Sequence, residues 1–241
     1  MSKRVYKFTC VQYGISDIQN RNLKLSTIKD FNDPFDLCPV DVTDPDIRFA
    51  MEALAAHHHK NTGVPCFSRN WDSLLLWSHY GASHTGVCLG FDIPEGEPGE
   101  NFDTDVLYQP NVIKVCKEEI DEDFVDRTLR TKHESWSYEQ EVRMFVQIND
   151  PPDPKGLWWM DFGLNLELKE VIMGSQCTPE DSDAVVEALK TYGDSVKCWW
   201  AGMRPDAFLL VTQDEPPRWH DEVRKQRTTS SQPLSSPRSA S

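Results

Sequence analysis

Residues 85–92 read TGVCLGFD, an apolar run interrupted by two glycines and ended by an acid. A strand that borders water on one side alternates in polarity. A run apolar on both faces must be covered on both. This segment therefore calls for a sheet with packed layers on its two sides. The residues before it, DSLLLWSHYG, have the spacing of a helix that Asp72 or Asn70 can cap and Gly81 can end.

The rest of the chain supplies the partners. VYKFTC reads as a first strand, YGISDIQNRN as a short helix or turn, and LKLST as a second strand. The Asp- and Pro-rich stretch IKDFNDPFDLCPVDVTDPD is loop. DIRFAMEALAAHHHKN places Ile47, Met51, Leu54 and Ala55 at helical spacing. VPCFS, DVLYQPNVIKV and LKEVIMG read as strands, and KEEIDEDFVDRTLRTKHESW as an acidic helical connection. YEQEVRMFVQI is the clearest alternating strand. In TPEDSDAVVEALKTYG, Thr178 is the cap, Pro179 opens the first turn, and acids sit at the positive dipole end. VKCWWAGMRPDAFLLVTQ reads as a hairpin. Short strands with helices placed irregularly between them give an α+β class. We expect a single mixed domain over residues 1–217, with a central, mostly antiparallel sheet and flanking helices. Residues 218–241 form a basic, Ser- and Pro-rich tail expected to be disordered.

The formal charge is −14. The tail carries five Lys or Arg against two acids, which leaves roughly −17 on the body. Such a field opposes binding to nucleic acid. The seven cysteines are odd in number, widely spaced and free of C-x-x-C pairs, unlike a secreted disulfide framework or a zinc ribbon. The HHH at 57–59 with Cys66, His79, His84 and Cys88 matches no tight zinc pattern, so no metal is expected. The N-terminus has no hydrophobic signal core, and no apolar run has the ~20 residues of a membrane helix. The expected setting is the reducing cytoplasm, away from membranes.

Three clusters carry candidate chemistry. In YEQEVRMFV, Glu139, Glu141, Arg143 and Phe145 share one face, opposite Gln140, Val142, Met144 and Val146. That face is either a solvated Glu–Arg surface or the wall of a cleft. A cleft carboxylate can hydrogen-bond a sugar hydroxyl and stabilise a glycosyl cation. His79 and Tyr80 end the helix before Gly81, either as capping and core groups or as pocket groups. In DFNDPFD, Asn32 and Asp33 precede Pro34, as in an Asx turn, or stand at a pocket rim. The Trp-rich segments GLWWMDFG and KCWWAG are core or interface anchors.

In order, VYKF, LSTIKDFNDPFD, CFS, LLWSHYGASHTGVCLGFD and SWSYEQEVR resemble the bacterial DUF2971 family, with LKEVIMG to AFLLV similar to its C-terminal part. The strand–helix–strand opening with LST, and the late strand with Glu139-x-Glu141, are similar to the ADP-ribosyltransferase plan. This second resemblance implies an enzyme that uses NAD as its nucleotide substrate and an unnamed acceptor, in phage defence or a toxin system. It implies Glu141 and Glu139 as catalytic residues; His79, which has no counterpart in that plan, is expected to act beside them because the DUF2971-like motif centres on it. For NAD binding the same resemblance implies Tyr6, Lys7 and Ser26, and the clusters and motifs above add Asn32, Asp33, Ser68, Tyr80 and Arg143 to the expected set. Tyr6 or Lys7 takes the first-strand position, where that superfamily has Arg or His, and Ser26 with Thr27 the serine-strand position. A different class is also open: a non-catalytic module of the same fold that binds a protein or nucleotide. A nucleic-acid hydrolase is opposed by the charge and by the lack of a carboxylate metal motif.

Overall fold

The structure is a computed structural model that describes residues 2–27, 30–36, 38–94 and 101–217. The side chains of residues 59, 60 and 101–103 are not described, and the expected tail 218–241 lies outside the described residues.

TGVCLGFD leads into β5 (Val87–Pro94), near the middle of a nine-stranded sheet. β5 is flanked by β1 (Ser2–Thr9) and β11 (Glu167–Met173), and both pairings are antiparallel. Beyond β1 come β4 (Cys66–Ser68), β9 (Glu141–Gln147) and the two-residue β3 (Thr62–Gly63), with β6 (Asn101–Asp105) also on β9. Beyond β11 come β12 (Lys197–Met203) and β13 (Leu210–Gln213). β11 and β12 run parallel, because helix α5 (Pro179–Leu189) crosses over between them. The other pairs in this sheet are antiparallel, so the α+β reading with a mostly antiparallel sheet holds.

Both faces of β5 are covered, as its sequence demands. Val87, Leu89, Phe91 and Ile93 pack with Ile18 of α1 (Val11–Asn20) and Val185 and Leu189 of α5. On the other face, Cys88 packs with Phe8, Ile172 and Trp77 of α3 (Leu74–His79). Trp77 is fully buried, meets Phe8 edge-on at 5.1 Å, and donates its indole N–H to the Trp71 carbonyl. α2 (Pro45–Asn61), capped by Asp44, and α4 (Glu122–Leu129), capped by Asp121, share a smaller core containing Ile47, Met51 and Phe124.

Several local expectations change. α3 is capped by Ser73, not Asp72 or Asn70. Gly81 follows the helix, but Ala82, Ser83 and His84 make the reversal, with φ of 50°, 53° and 68°. Each costs about 1–2 kcal/mol in that region, and backbone hydrogen bonds from Gly86 to Gly81 and from His84 to Trp77 hold the loop. β2 (Asn22–Leu25) does not join the large sheet; it pairs with β10 (Trp158–Asp161), a strand taken from the Trp-rich segment. Trp200 is core, whereas Trp159 is partly exposed. The KEE…ESW connection contains α4, but also the short β8 (Thr131–His133), which pairs with β7 (Leu107–Gln109), and a 3-10 turn over Glu134–Glu139. Among the described residues, no helix is long and apolar enough to cross a membrane.

Candidate functional site

Three neighbouring strands put Tyr6, Ser68 and Glu141 in one row: Tyr6 of β1 is opposite Ser68 of β4, and Ser68 is opposite Glu141 of β9. Cross-strand partners project to the same side of a sheet. The row extends the other way to Gly90 and Glu170. A Cβ on Gly90 would lie 2.6 Å from the Glu170 side chain. Its absence lets Glu170 and Tyr6 meet over β5, where the Tyr6 hydroxyl donates to Glu170 across 3.2 Å.

The Tyr6–Ser68–Glu141 row floors a hollow of about 220 Å³. Lys7, Ser26, Asn32, Tyr80 and Glu139 also line it, so eight of the eleven sequence-derived candidates share one cavity. The other three lie elsewhere. His79 is exposed, with its Nδ1 3.0 Å from the Tyr138 hydroxyl, and is not among the lining residues. Asp33 is buried and binds the Phe35 amide at 2.9 Å, in the expected Asx turn, facing a different hollow. Arg143 is fully buried behind the lining. Ser26 reaches the cavity from beyond the end of β2, so the serine in register with Glu141 is Ser68.

Glu139 and Glu141 are not successive outward residues of one strand. β9 begins at Glu141, and Glu139 ends the preceding 3-10 turn. Gln140 between them has φ 42° and ψ 52°, a left-handed turn that Arg69 and Asn70 hold through its carbonyl and side chain. The turn folds Glu139 back so that both carboxylates reach one ammonium. Lys132 Nζ is 2.7 Å from Glu139 Oε2, 3.1 Å from Glu141 Oε2 and 3.6 Å from Asp36 Oδ2. Arg143 donates to Glu141 Oε1 at 2.9 Å, to the Leu129 carbonyl at 2.9 Å and to Asp36. The solvated-face reading of this strand therefore fails, since Glu139, Glu141 and Arg143 are all nine-tenths buried or more.

This cluster holds three carboxylates against two cations. One carboxylate is in surplus, and burial penalises its charge. Burial would raise Glu141, but Arg143 and Lys132 outweigh it and hold its carboxyl at about 2. Burial raises Glu139 and Asp36 above their ordinary values despite their cationic neighbours. Burial would lower Lys132, but its carboxylates outweigh that and raise it. Glu139 thus faces the cavity as the carboxyl readier to take a proton, while Glu141 stays ionised. Tyr80 donates to Glu139 Oε1 at 2.7 Å and accepts from Asn32 at 2.9 Å. Burial raises the Cys66 thiol far above its ordinary value, which disfavours the thiolate at this lining cysteine.

Sequence reading missed Lys132 and Asp36. Asp36 lies in the DFNDPFD loop, where turn chemistry accounts for every acid. Lys132 is one cation in an acidic connection with no periodic pattern. Among the described residues, no group of three His, Cys, Asp or Glu side chains is placed to hold a metal ion. Lys132 stands where a cation would sit among the carboxylates.

The family model of DUF2971, described as a protein of unknown function, matches residues 76–144. That segment runs from α3 through Glu139 and Glu141 to Met144, and so includes Tyr80, Lys132 and Arg143. No curated protein and no solved structure matches the chain.

Proposed function

We propose that this cavity is the catalytic pocket of an ADP-ribosyltransferase-like enzyme that acts on NAD. The observation that carries the reading is the pair Glu139 and Glu141, anchored by one lysine beside the row Tyr6–Ser68–Glu141. A volume of about 220 Å³ is below the ~300–1,000 Å³ of pockets that enclose a drug-sized ligand. It suits one sugar with its leaving ring, and the rest of a dinucleotide would extend outward.

In this reading the bond between nicotinamide and ribose C1′ breaks, and its electron pair leaves with the nicotinamide nitrogen. Ionised Glu141 faces the sugar cation. An acceptor hydroxyl or water attacks C1′ and gives its proton to Glu139. Asn32 and Tyr80 hold Glu139 in place, and Lys7, whose Nζ is 3.2 Å from the Cys66 carbonyl, supplies positive charge at the cavity for a phosphate.

One observation favours a second reading, a nucleotide-binding module without catalysis. Both Glu141 oxygens are already engaged by Arg143 and Lys132, and Tyr6 stands where the resemblance calls for Arg or His. Incubation with NAD separates the two. Nicotinamide release supports the enzyme. A rise in unfolding temperature with NAD but no release supports the binding module. Neither effect at millimolar NAD contradicts both.

A further inference from the structure

A second hollow, of about 310 Å³, shares Lys132 with the first. Its walls differ in character. Phe35, Val112 and Trp136 supply apolar surface, and Phe35 and Val112 are 62% and 45% exposed. Asn111, Thr131, Lys132 and His133 add polar groups, as do Asp33 and Gln109. Among the described residues, Asp33 Oδ2 and Gln109 Nε2 are buried atoms without a hydrogen-bond partner. Asp33 is only 6% exposed, and its other oxygen is taken by the Phe35 amide.

An unpaired buried polar atom is destabilising, and native proteins keep few of them. Here an acceptor and a donor stay unpaired on one hollow with an aromatic wall. Both atoms are closed to water in this conformation, so pairing them requires each side chain to turn toward the hollow, where Phe35 and Val112 stand exposed beside the indole. A flat ligand answers both features. Lys132 Nζ sits 4.7 Å from the Trp136 ring centre, so a cation–π contact braces the indole from the charged cluster.

We propose that this hollow binds a planar nitrogen heterocycle bearing an N–H donor beside an acceptor, as on the amidine edge of adenine or the carboxamide of nicotinamide. With the two side chains turned toward the hollow, the ligand N–H donates to Asp33 Oδ2, Gln109 Nε2 donates to the ligand acceptor, and the ring packs on Trp136. The binding claim is independent of catalysis; assigning the hollow to adenine at the far end of a bound NAD rests on the reading above.

Calorimetry with adenosine, inosine, nicotinamide and nicotinate tests this. Inosine reverses the donor and acceptor of adenosine, and nicotinate removes the donor of nicotinamide. A site built on such a pair rejects the altered edge strongly. We expect adenosine to bind at least tenfold more tightly than inosine, or nicotinamide than nicotinate, and the pair that discriminates names the source. Trp136→Ala, a partly exposed change, weakens that binding at least tenfold. Asp33→Asn keeps the Phe35 cap and turns the free acceptor into a donor. Gln109 can then rotate its amide by half a turn, and the preference moves toward inosine or nicotinate. Thermal unfolding of each variant confirms that it is folded. Equal binding within each pair, no binding of any of the four at 10 mM, or binding indifferent to both substitutions overturns the proposal. Calorimetry reads binding alone, so a protein that fails to cleave NAD can still bind or reject these four ligands.

Discussion

The Lys132 ammonium lies 2.7 Å from a Glu139 carboxylate oxygen, with both side chains more than nine-tenths buried. Glu139 also accepts from Tyr80, and Lys132 also holds Glu141. This bond links the pocket to the charged cluster behind it. Lys132→Met would leave Asp36 and Glu141 with Arg143 and would leave Glu139 held by the Tyr80 hydroxyl. Removing one member of a buried ion network costs about 3–5 kcal/mol. The loss should be largest near pH 7 and smaller near pH 5, where Glu139 and Asp36, already raised by burial, take up protons more readily. Urea unfolding at the two pH values measures it; equal losses would contradict the charge balance.

Glu141 should govern acid stability. Its carboxyl is held at about 2 against an ordinary 4.5, so the folded state favours the ionised form. That contribution is complete above pH 4.5 and disappears as pH falls toward 2. The difference amounts to something on the order of 3 kcal/mol. Glu141→Gln should be less stable than the parent at pH 7 and converge on it near pH 2. Parallel stability curves across this window would rule out the assignment.

Tyr80→Phe removes a hydrogen bond to a carboxylate, worth about 1.5–3 kcal/mol. The phenol also lowers the Glu139 carboxyl, so its loss raises Glu139 further. If Glu139 is the base, the acid limb of NAD turnover moves to higher pH in this variant. An unmoved limb with reduced stability would mean that Tyr80 acts in packing alone.

The loop between α3 and β5 tests the fold in a different way. A Cβ on Gly86 would lie 2.2 Å from the Thr9 carbonyl oxygen, at the end of the β1–β5 pairing. Backbone cannot yield there as a flexible side chain would. Gly86→Ala should lower the unfolding midpoint sharply or abolish soluble folded protein, whereas Gly156→Ala, with no atom near its Cβ site but a φ of 80°, should cost only the strain of that conformation. Similar midpoints for the two variants would contradict the close approach.

Where pattern is local, the sequence reveals the fold. TGVCLGFD announces a strand covered on both faces because its alternate residues are both apolar, and T-P-E-D announces the start of α5 because caps act within one turn. The pairing of β4 between β1 and β9 joins Tyr6 to Ser68 and Ser68 to Glu141, 62 and 73 residues apart, and no local pattern carries it. The same division runs through the site. Glu141 and Tyr80 are visible as polar residues out of place beside apolar runs. Lys132 gains its meaning from Asp36 on a distant loop and from Glu139 and Glu141, which the turn at Gln140 brings together on it. The position of Glu139 depends on Gln140 adopting a left-handed backbone, a choice imposed by Arg69 and Asn70 rather than by its own preferences.

The most direct measurement is the pH profile of nicotinamide release from NAD by the parent and by Glu139→Gln, with unfolding midpoints taken in parallel. The account predicts release by the parent with an acid limb centred above 4.5, the ordinary value of this carboxyl. It predicts a loss of about 10²–10⁴-fold in the folded variant, the range of a positioned general base. Release that persists unchanged in Glu139→Gln, with the same acid limb, would contradict it.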